Sequence, residues 1–226
     1  GGTGHYGRHI VRRLVGHGAT VGVLTRSPAR AAELFAGEPE AGGSVVLLEG
    51  DVTEPPCVHE LAASWSRVVV ALSGFAPQTI QRLREIEHDA VLRLLAHLRN
   101  DARVVILSAY EPRPELIDRL GFEAGRVKLD VERAVSRSDL NWTILGAAFS
   151  MALFFRMIRG NRMVVPGGGR RRIPTIAAED VGEVAAQAAL RDDLAGVRIR
   201  MPGPVAYSFP EAAATVAAAC SATVRH

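Results

Sequence analysis

Two features of the sequence have residue types and spacing that could do chemistry: the opening run Gly1-Gly2-Thr3-Gly4-His5-Tyr6-Gly7 and a single lysine, Lys128. Glycines at 1, 4 and 7 suit a tight turn that enters a helix, where unpaired backbone N–H groups and the positive end of the helix dipole face one spot. Such a spot attracts a phosphate, with Thr3, His5 and Tyr6 around it. The same spacing also serves a plain glycine-rich turn, but the residues downstream of Gly7 favour a nucleotide. The apolar period Ile10, Val11, Leu14, Val15 ends at Gly16-His17-Gly18, an apolar run over 21–24 comes next, and Arg26 stands at its end. A carboxylate there would accept a ribose 2′-hydroxyl, whereas a basic residue meets a 2′-phosphate. No acid occurs between Gly18 and Arg30. The expected cofactor is therefore NADP rather than NAD, with a plain surface charge as the alternative for Arg26.

Of the 27 basic side chains, 26 are arginine, so Lys128 marks a place where arginine would not serve or a chance survivor of the bias. A lysine ammonium is compact and responds to burial, whereas guanidinium stays charged. Further candidates stand at the ends of apolar runs. Asp51 and Val52, after Gly50, are placed to reach an adenine, with a turn or helix cap as the other reading of Asp51. Leu72, Ser73 and Gly74 would let the backbone approach a ligand. Ser108 and Tyr110 follow the run over 103–107.

Elements that could position these groups alternate regularly. Strands are expected over 20–25, 44–48, 67–72, 103–107 and 141–145; helices over 28–35, 57–65, 78–99 and 123–138. The helix over 78–99 has an apolar face of Ile80, Leu83, Ala90, Val91, Leu94, Leu95 and Leu98, with charges opposite and with His88 and His97 at or near the surface. Lys128 lies beside the buried stripe of its helix, aimed at the cleft or joined to Glu132 one turn on. Six rounds of alternation, counting a strand expected before the glycine loop, imply an α/β fold with a doubly wound parallel sheet. In such a sheet a buried strand should precede the glycine loop, so residues upstream of Gly1 are expected.

The pattern changes after 146. A helix over 151–158, a strand over 163–165, a flexible loop Gly167-Gly168-Gly169 with the basic tip Arg170-Arg171-Arg172, and helices over 180–190 and 210–219 suggest a small substrate-side lobe. The arginine tip reads as a solvated hairpin or an anion clamp. A cleft is expected among Phe75, Tyr110, Phe149 and Phe154.

Composition excludes more than it identifies. With 226 residues, 48% hydrophobic and 23% charged, the chain can bury a real core, and no apolar run could span a bilayer. A net charge of +3 is spread among interleaved acids and does not imply nucleic acid. Cys57 and Cys220 lack metal-ligand spacing, so a reduced, cytoplasmic setting is expected.

Taken together, these residues resemble the atypical short-chain dehydrogenase/reductases, in particular the NmrA-like and isoflavone-reductase-like branch. The opening GGTGHYG resembles that branch's glycine loop, and Gly50-Asp51-Val52 its Gly-Asp pair. The stretch over 127–150 is similar to its lysine-bearing helix and the strand after it, and Ala178-Glu179-Asp180-Val181 and the run over 206–211 to its last landmarks. The resemblance implies a Rossmann-like NADP-binding domain over 1–146 and a dependent C-terminal lobe over 147–226. It implies either an oxidoreductase acting on a small organic substrate or a regulator that binds the dinucleotide and signals to a partner protein. Gly1, Thr3, Gly4, His5, Tyr6, Gly7, Arg26, Asp51, Val52, Leu72, Ser73, Gly74 and Lys128 would hold the cofactor, and Lys128, Ser108 and Tyr110 would be catalytic. Two departures stand out. The tyrosine expected four residues before the lysine is Ala124, and the arginine expected after Thr143-Ile144-Leu145 is Gly146. The oligomeric state stays open.

Overall fold

Strand β1 (Thr20–Thr25) follows helix α1 (Gly7–Gly16), whose Ile10, Val11, Leu14 and Val15 are all buried. These come from a computed structural model that describes residues 1–37, 42–74, 76–220 and 224. Alternation continues through α2 (Pro28–Phe35), β2 (Ser44–Glu49), α3 (Pro55–Ser64), β3 (Arg67–Val70), α4 (Ala90–His97), β4 (Arg103–Ala109), α5 (Pro114–Leu120), α6 (Glu123–Ser136) and β5 (Asn141–Ala147). Proline opens α2, α3 and α5, where its missing N–H would have no helical partner in any case.

All pairings among these strands are parallel. β1 pairs with β2, and β3, β4 and β5 form one group that β10 (Val197–Met201) completes beside β5. Among the described residues no ladder joins the two groups. The opening glycines lie between them: a Cβ on Gly1 would sit 2.1 Å from the Ala71 carbonyl oxygen, and one on Gly2 2.8 Å from Val23. Gly1 thus occupies the exit of β3, and the ladder stops at Val70 although the apolar run continues to Leu72.

The faces of β4 show the double winding directly. Val104 and Ile106 pack with Val58 of α3, Val91 and Leu94 of α4 and Val131 and Val135 of α6. Val105 packs on the opposite side with Ile10 and Leu14 of α1 and with Val181 and Ala185 of α8 (Ala178–Leu190). Period-two alternation on a strand fully buried on both faces produces this division. Gly182 lets α8 approach α1, since a Cβ there would meet His9 at 2.8 Å. α8 and β10 therefore complete the main layers although they lie beyond residue 146.

The remaining C-terminal elements are β6 (Phe149–Ser150), α7 (Ala152–Arg156), β7 (Ile158–Arg159), β8 (Arg162–Met163), β9 (Ile173–Ile176), β11 (Val205–Tyr207) and α9 (Phe209–Ala219). β11, β9 and β6 form a small mixed sheet. Its core holds Phe154, Met163, Ala212 and Ala213, with the Phe154 ring 5.2 Å from Phe149 and 5.4 Å from Phe209.

Several expectations are corrected. The helix expected over 78–99 runs over 80–97 but is not regular: it opens with a 3-10 turn (Ile80–Arg82) and carries a π-helical turn (Glu85–Asp89) before α4, and the buried Glu87 in that turn bonds to Gly74 and Lys128. Phe154 fills the lobe's core instead of lining a cleft, and Phe75 lies outside the described residues. The arginine loop is a held turn. Gly167, Gly168 and Gly169 all take positive φ, Gly169 packs on the Phe209 ring, and Arg172 is bound by Glu211, which leaves Arg170 and Arg171 exposed.

Candidate functional site

The glycine loop forms a cradle whose dimensions exclude side chains. A Cβ on Gly7, the first residue of α1, would lie 1.9 Å from the Gly1 carbonyl oxygen and 2.8 Å from the Gly2 Cα. The Gly4 amide donates to the Gly1 carbonyl at 3.0 Å, which closes the turn. Among the described residues no backbone carbonyl accepts from the amides of His5, Tyr6 or Gly7. No side chain caps α1, and its first turn carries no acid. The amino end of this ten-residue helix is therefore open to an anion.

His5 and Tyr6 couple the loop to the C-terminal lobe. The His5 Nε2 lies 2.7 Å from the Oγ of the buried Ser150, and its Nδ1 is buried without a partner. Burial first, then the charges of Arg156, Arg8 and His9, lower the His5 pKa below the ordinary value, which favours the neutral ring. Burial likewise raises that of Tyr6. Thr3 is exposed at the rim.

Arg26 and Asp51 stand at the ends of β1 and just past β2, and they meet. An Arg26 guanidinium nitrogen lies 3.7 Å from Asp51 Oδ2. Asp51 Oδ1 also accepts from both the amide and the hydroxyl of Thr53, at 2.9 Å each. Burial works against its charge, but the Thr53 hydrogen bonds and the charges of Arg26 and Arg82 outweigh it and hold the carboxyl below its ordinary value. Val52, half-buried, packs against the core group on the α3 side. One spot thus holds a cation suited to a 2′-phosphate and an acceptor suited to a hydroxyl, each partly satisfied by the other.

The polar residues at the carboxyl ends of β3 and β4 gather around a cavity of about 10 Å³, room for about one water. Leu72, Glu87, Ser108 and Lys128 are among its lining. The Lys128 ammonium donates to Glu87 Oε2 at 2.6 Å, and Glu87 Oε1 accepts the Gly74 amide at 2.6 Å. The Ser108 Oγ is buried with no partner. A buried hydroxyl without a hydrogen bond is unusual enough to ask what it is kept for. Gly74 is fixed on its other side by Thr79, whose hydroxyl donates to the Gly74 carbonyl, and by Leu83, whose Cα would lie 2.9 Å from a Cβ there. Ser73 stands between Leu72 and Gly74.

Tyr110 is not in that lining. It is half-buried with Tyr6, Leu107 and Ala147 against the core group of α1 and α8. Nor does Lys128 pair with Glu132. Glu132 instead takes Arg198 of β10, whose Nε lies 2.9 Å from Glu132 Oε2 and whose Nη2 donates to the Ala109 carbonyl at 2.8 Å. A Cβ on Gly146 would lie 3.0 Å from Arg198 Nη1 and 2.9 Å from the Ala109 oxygen. The missing side chain at 146 therefore makes room for an arginine from the neighbouring strand.

Sequence reasoning missed Glu87 and Arg198. Glu87 left a trace: it falls four residues after Leu83 and four before Val91, an acid inside the apolar stripe. Arg198 left none, because its partners come from residues 109 and 132.

These features fit a nicotinamide dinucleotide: a cradle that any Cβ would fill, an open helix end for the diphosphate, and unpartnered polar atoms at His5 and Ser108. A family model described as NAD(P)H-binding matches residues 1–192. The chain belongs to this NAD(P)H-binding family. It is 27% identical over 221 residues to the photosystem II assembly factor Ycf39 of Synechocystis sp., an alignment covering 93% of this chain and 63% of that protein. The chain thus spans less than two thirds of that curated relative. Solved structures with the same fold include a nucleoside-diphosphate-sugar epimerase from Staphylococcus aureus, with TM-score 0.77, 18% identity and coverage of 100% of this chain and 77% of that one. The triphenylmethane reductase of Citrobacter sp., complexed with NADP(H), has TM-score 0.73 at 14% identity, with coverage of 99% and 76%. An NADPH-dependent quinone oxidoreductase of Escherichia coli, complexed with NADPH, has TM-score 0.74 at 15% identity, with coverage of 100% and 76%. At these identities the likeness shows the Rossmann-like α/β fold. Among the described residues no helix is long and apolar enough to cross a membrane.

Proposed function

We propose that the chain binds NADPH and reduces a small organic substrate such as a carbonyl, a quinone or an activated alkene. One observation carries this reading: the chain's only lysine and an unpartnered buried serine hydroxyl share a cavity at the carboxyl edge of the sheet of a dinucleotide-binding fold. Bound NADPH supplies a hydride. The amides at the start of α1 hold the diphosphate, and Arg26 meets the 2′-phosphate in exchange for part of its contact with Asp51. Leu72, Ser73 and Gly74 lie along the cofactor. Ser108 donates a hydrogen bond to the substrate oxygen, and Lys128 supplies a proton to it or anchors the ribose. Tyr110 serves as the acid only if its loop turns the ring toward Ser108.

A second reading is supported by the absence of any tyrosine among the cavity residues: a dinucleotide-binding protein that reports its occupancy to a partner protein. The name of the curated relative, an assembly factor, is compatible with it. The two readings separate in one experiment. Purified protein is titrated with NADPH by calorimetry, then assayed for NADPH oxidation with a panel of carbonyls, quinones and enones. Oxidation above the protein-free rate supports the reductase; binding without turnover across the panel refutes it in favour of the sensor; no binding sinks both.

A further inference from the structure

We infer that Glu87 is a positioning residue of this site, holding Lys128 and the Gly74 backbone at fixed places on the two sides of the reacting end. This rests on the reductase reading. Both carboxylate oxygens are in use, one on the Lys128 ammonium and one on the Gly74 amide, each at 2.6 Å. The side chain is 3% exposed, so the pair is shielded from solvent on the acid's side. Charge-assisted hydrogen bonds this short are about twice as strong as neutral ones.

The backbone is shaped to deliver this carboxylate. Glu87 sits in the π-helical turn Glu85–Asp89, between a 3-10 turn and α4. A π turn changes where the side chains on either side of it point, and such turns gather at functional sites. A regular helix would have continued the apolar stripe from Leu83 through position 87 to Val91, and no packing reason calls for an acid there. α6 carries Lys128, Gly74 follows the exit of β3, and Ser108, next to the last residue of β4, lines the cavity with Lys128 and Glu87. Glu87 bonds to two of these three elements, to α6 at Lys128 and to the exit of β3 at Gly74. Its place therefore sets the separation between lysine and loop, and with it the orientation of the ammonium toward Ser108.

The test uses the whole chain. Lys128 is its only lysine, so protein grown with 13Cε-lysine gives one lysine side-chain resonance. Wild type, Glu87→Gln and Glu87→Asp are compared for that resonance with and without NADPH, for NADPH affinity, and for kcat and KM with a naphthoquinone as acceptor. Glutamine keeps an oxygen for the Gly74 amide and loses the charge that holds Lys128. In Glu87→Gln the expected result is NADPH affinity and quinone KM within about threefold of wild type and kcat at least about tenfold lower, a split that a purely structural role would not give. The Lys128 resonance should move and lose its response to NADPH. Aspartate, one methylene shorter with the charge kept, should restore part of kcat, and it carries the comparison if the glutamine variant does not fold. Wild-type kcat in Glu87→Gln overturns the inference, as does an unchanged resonance or a wild-type resonance that ignores NADPH. If wild type oxidises NADPH with none of the carbonyls, quinones and enones of the panel, the reductase reading has failed separately. The resonance then decides alone: an NADPH response lost in Glu87→Gln supports the positioning role, and one retained refutes it.

Discussion

Replacing Gly7 by alanine tests the cradle on which cofactor binding rests. The added Cβ would sit 1.9 Å from the Gly1 carbonyl oxygen, 2.7 Å from its carbon and 2.8 Å from the Gly2 Cα, whereas ordinary contact begins near 3.4 Å. All three obstacles are backbone, so no side chain can rotate away, and the loop must part from α1 by more than about 1 Å. Overpacking of this kind costs about 1–3 kcal/mol of stability. The same displacement pulls the loop amides off the diphosphate. Each charge-assisted hydrogen bond is worth about 1.5–3 kcal/mol, so losing one weakens NADPH binding by roughly 10- to 100-fold. Gly16→Ala is the matched control: nothing lies within 4 Å of a Cβ at the other end of the same helix. There alanine should stabilise by about 0.5–1 kcal/mol and leave binding alone. Calorimetric titration with NADPH and thermal melts of both variants measure these effects. Folded Gly7→Ala protein that binds NADPH within about threefold of wild type would refute the steric argument and the placement of the diphosphate together.

Arg26→Ala should weaken NADPH binding by about tenfold or more and leave NADH unchanged or improved, because Asp51 is then released to accept a ribose hydroxyl; an unchanged NADPH-to-NADH ratio in competition titrations would remove Arg26 from cofactor choice. Lys128→Met should abolish turnover while NADPH still binds, and should lower stability by about 3–5 kcal/mol because Glu87 keeps its burial and loses its counter-charge; full activity would dismiss Lys128 from the mechanism. Hydrogen bonds from Arg172, then from the backbone and hydroxyl of Ser208, lower the Glu211 pKa from 4.5 to about 2. A depressed carboxyl contributes above its unfolded value and is lost as pH falls through the folded one, so the arginine loop and the cap of α9 should hold at pH 5 and loosen from about 4.5 down to about 2. Carboxyl NMR should give the Glu211 midpoint near 2 and, in Arg172→Ala, closer to 4.5; an equal midpoint in both proteins would deny the pairing.

Much of the scaffold is legible because it depends on periodicity. The stretches 20–25, 28–35 and 141–145 form the strands and helix expected of them, since apolar spacing and proline at the first turn act over a few residues. The helix expected over 78–99 is present over 80–97, but the π-helical turn inside it was not legible, because it coincides with an acid in the apolar face whose partners, Gly74 and Lys128, lie outside the helix. Phe149 and Phe154 read as cleft residues because aromatic side chains serve cores and pockets alike. Only the position of α9, with Phe209 against Phe154, makes them a core.

By itself the sequence determined the alternating α/β order, the glycine loop before α1, and the singular lysine, all of which are properties of neighbours along the chain. Tertiary structure alone decided which charges meet. Lys128 takes Glu87 across 41 residues and leaves Glu132, one turn away, to Arg198 across 66. Adjacency in a helix offers an ion pair worth only about 0.2–0.5 kcal/mol. A buried carboxylate deprived of its partner costs several times more, so the packing that buries Glu87 and Glu132 dictates the pairing.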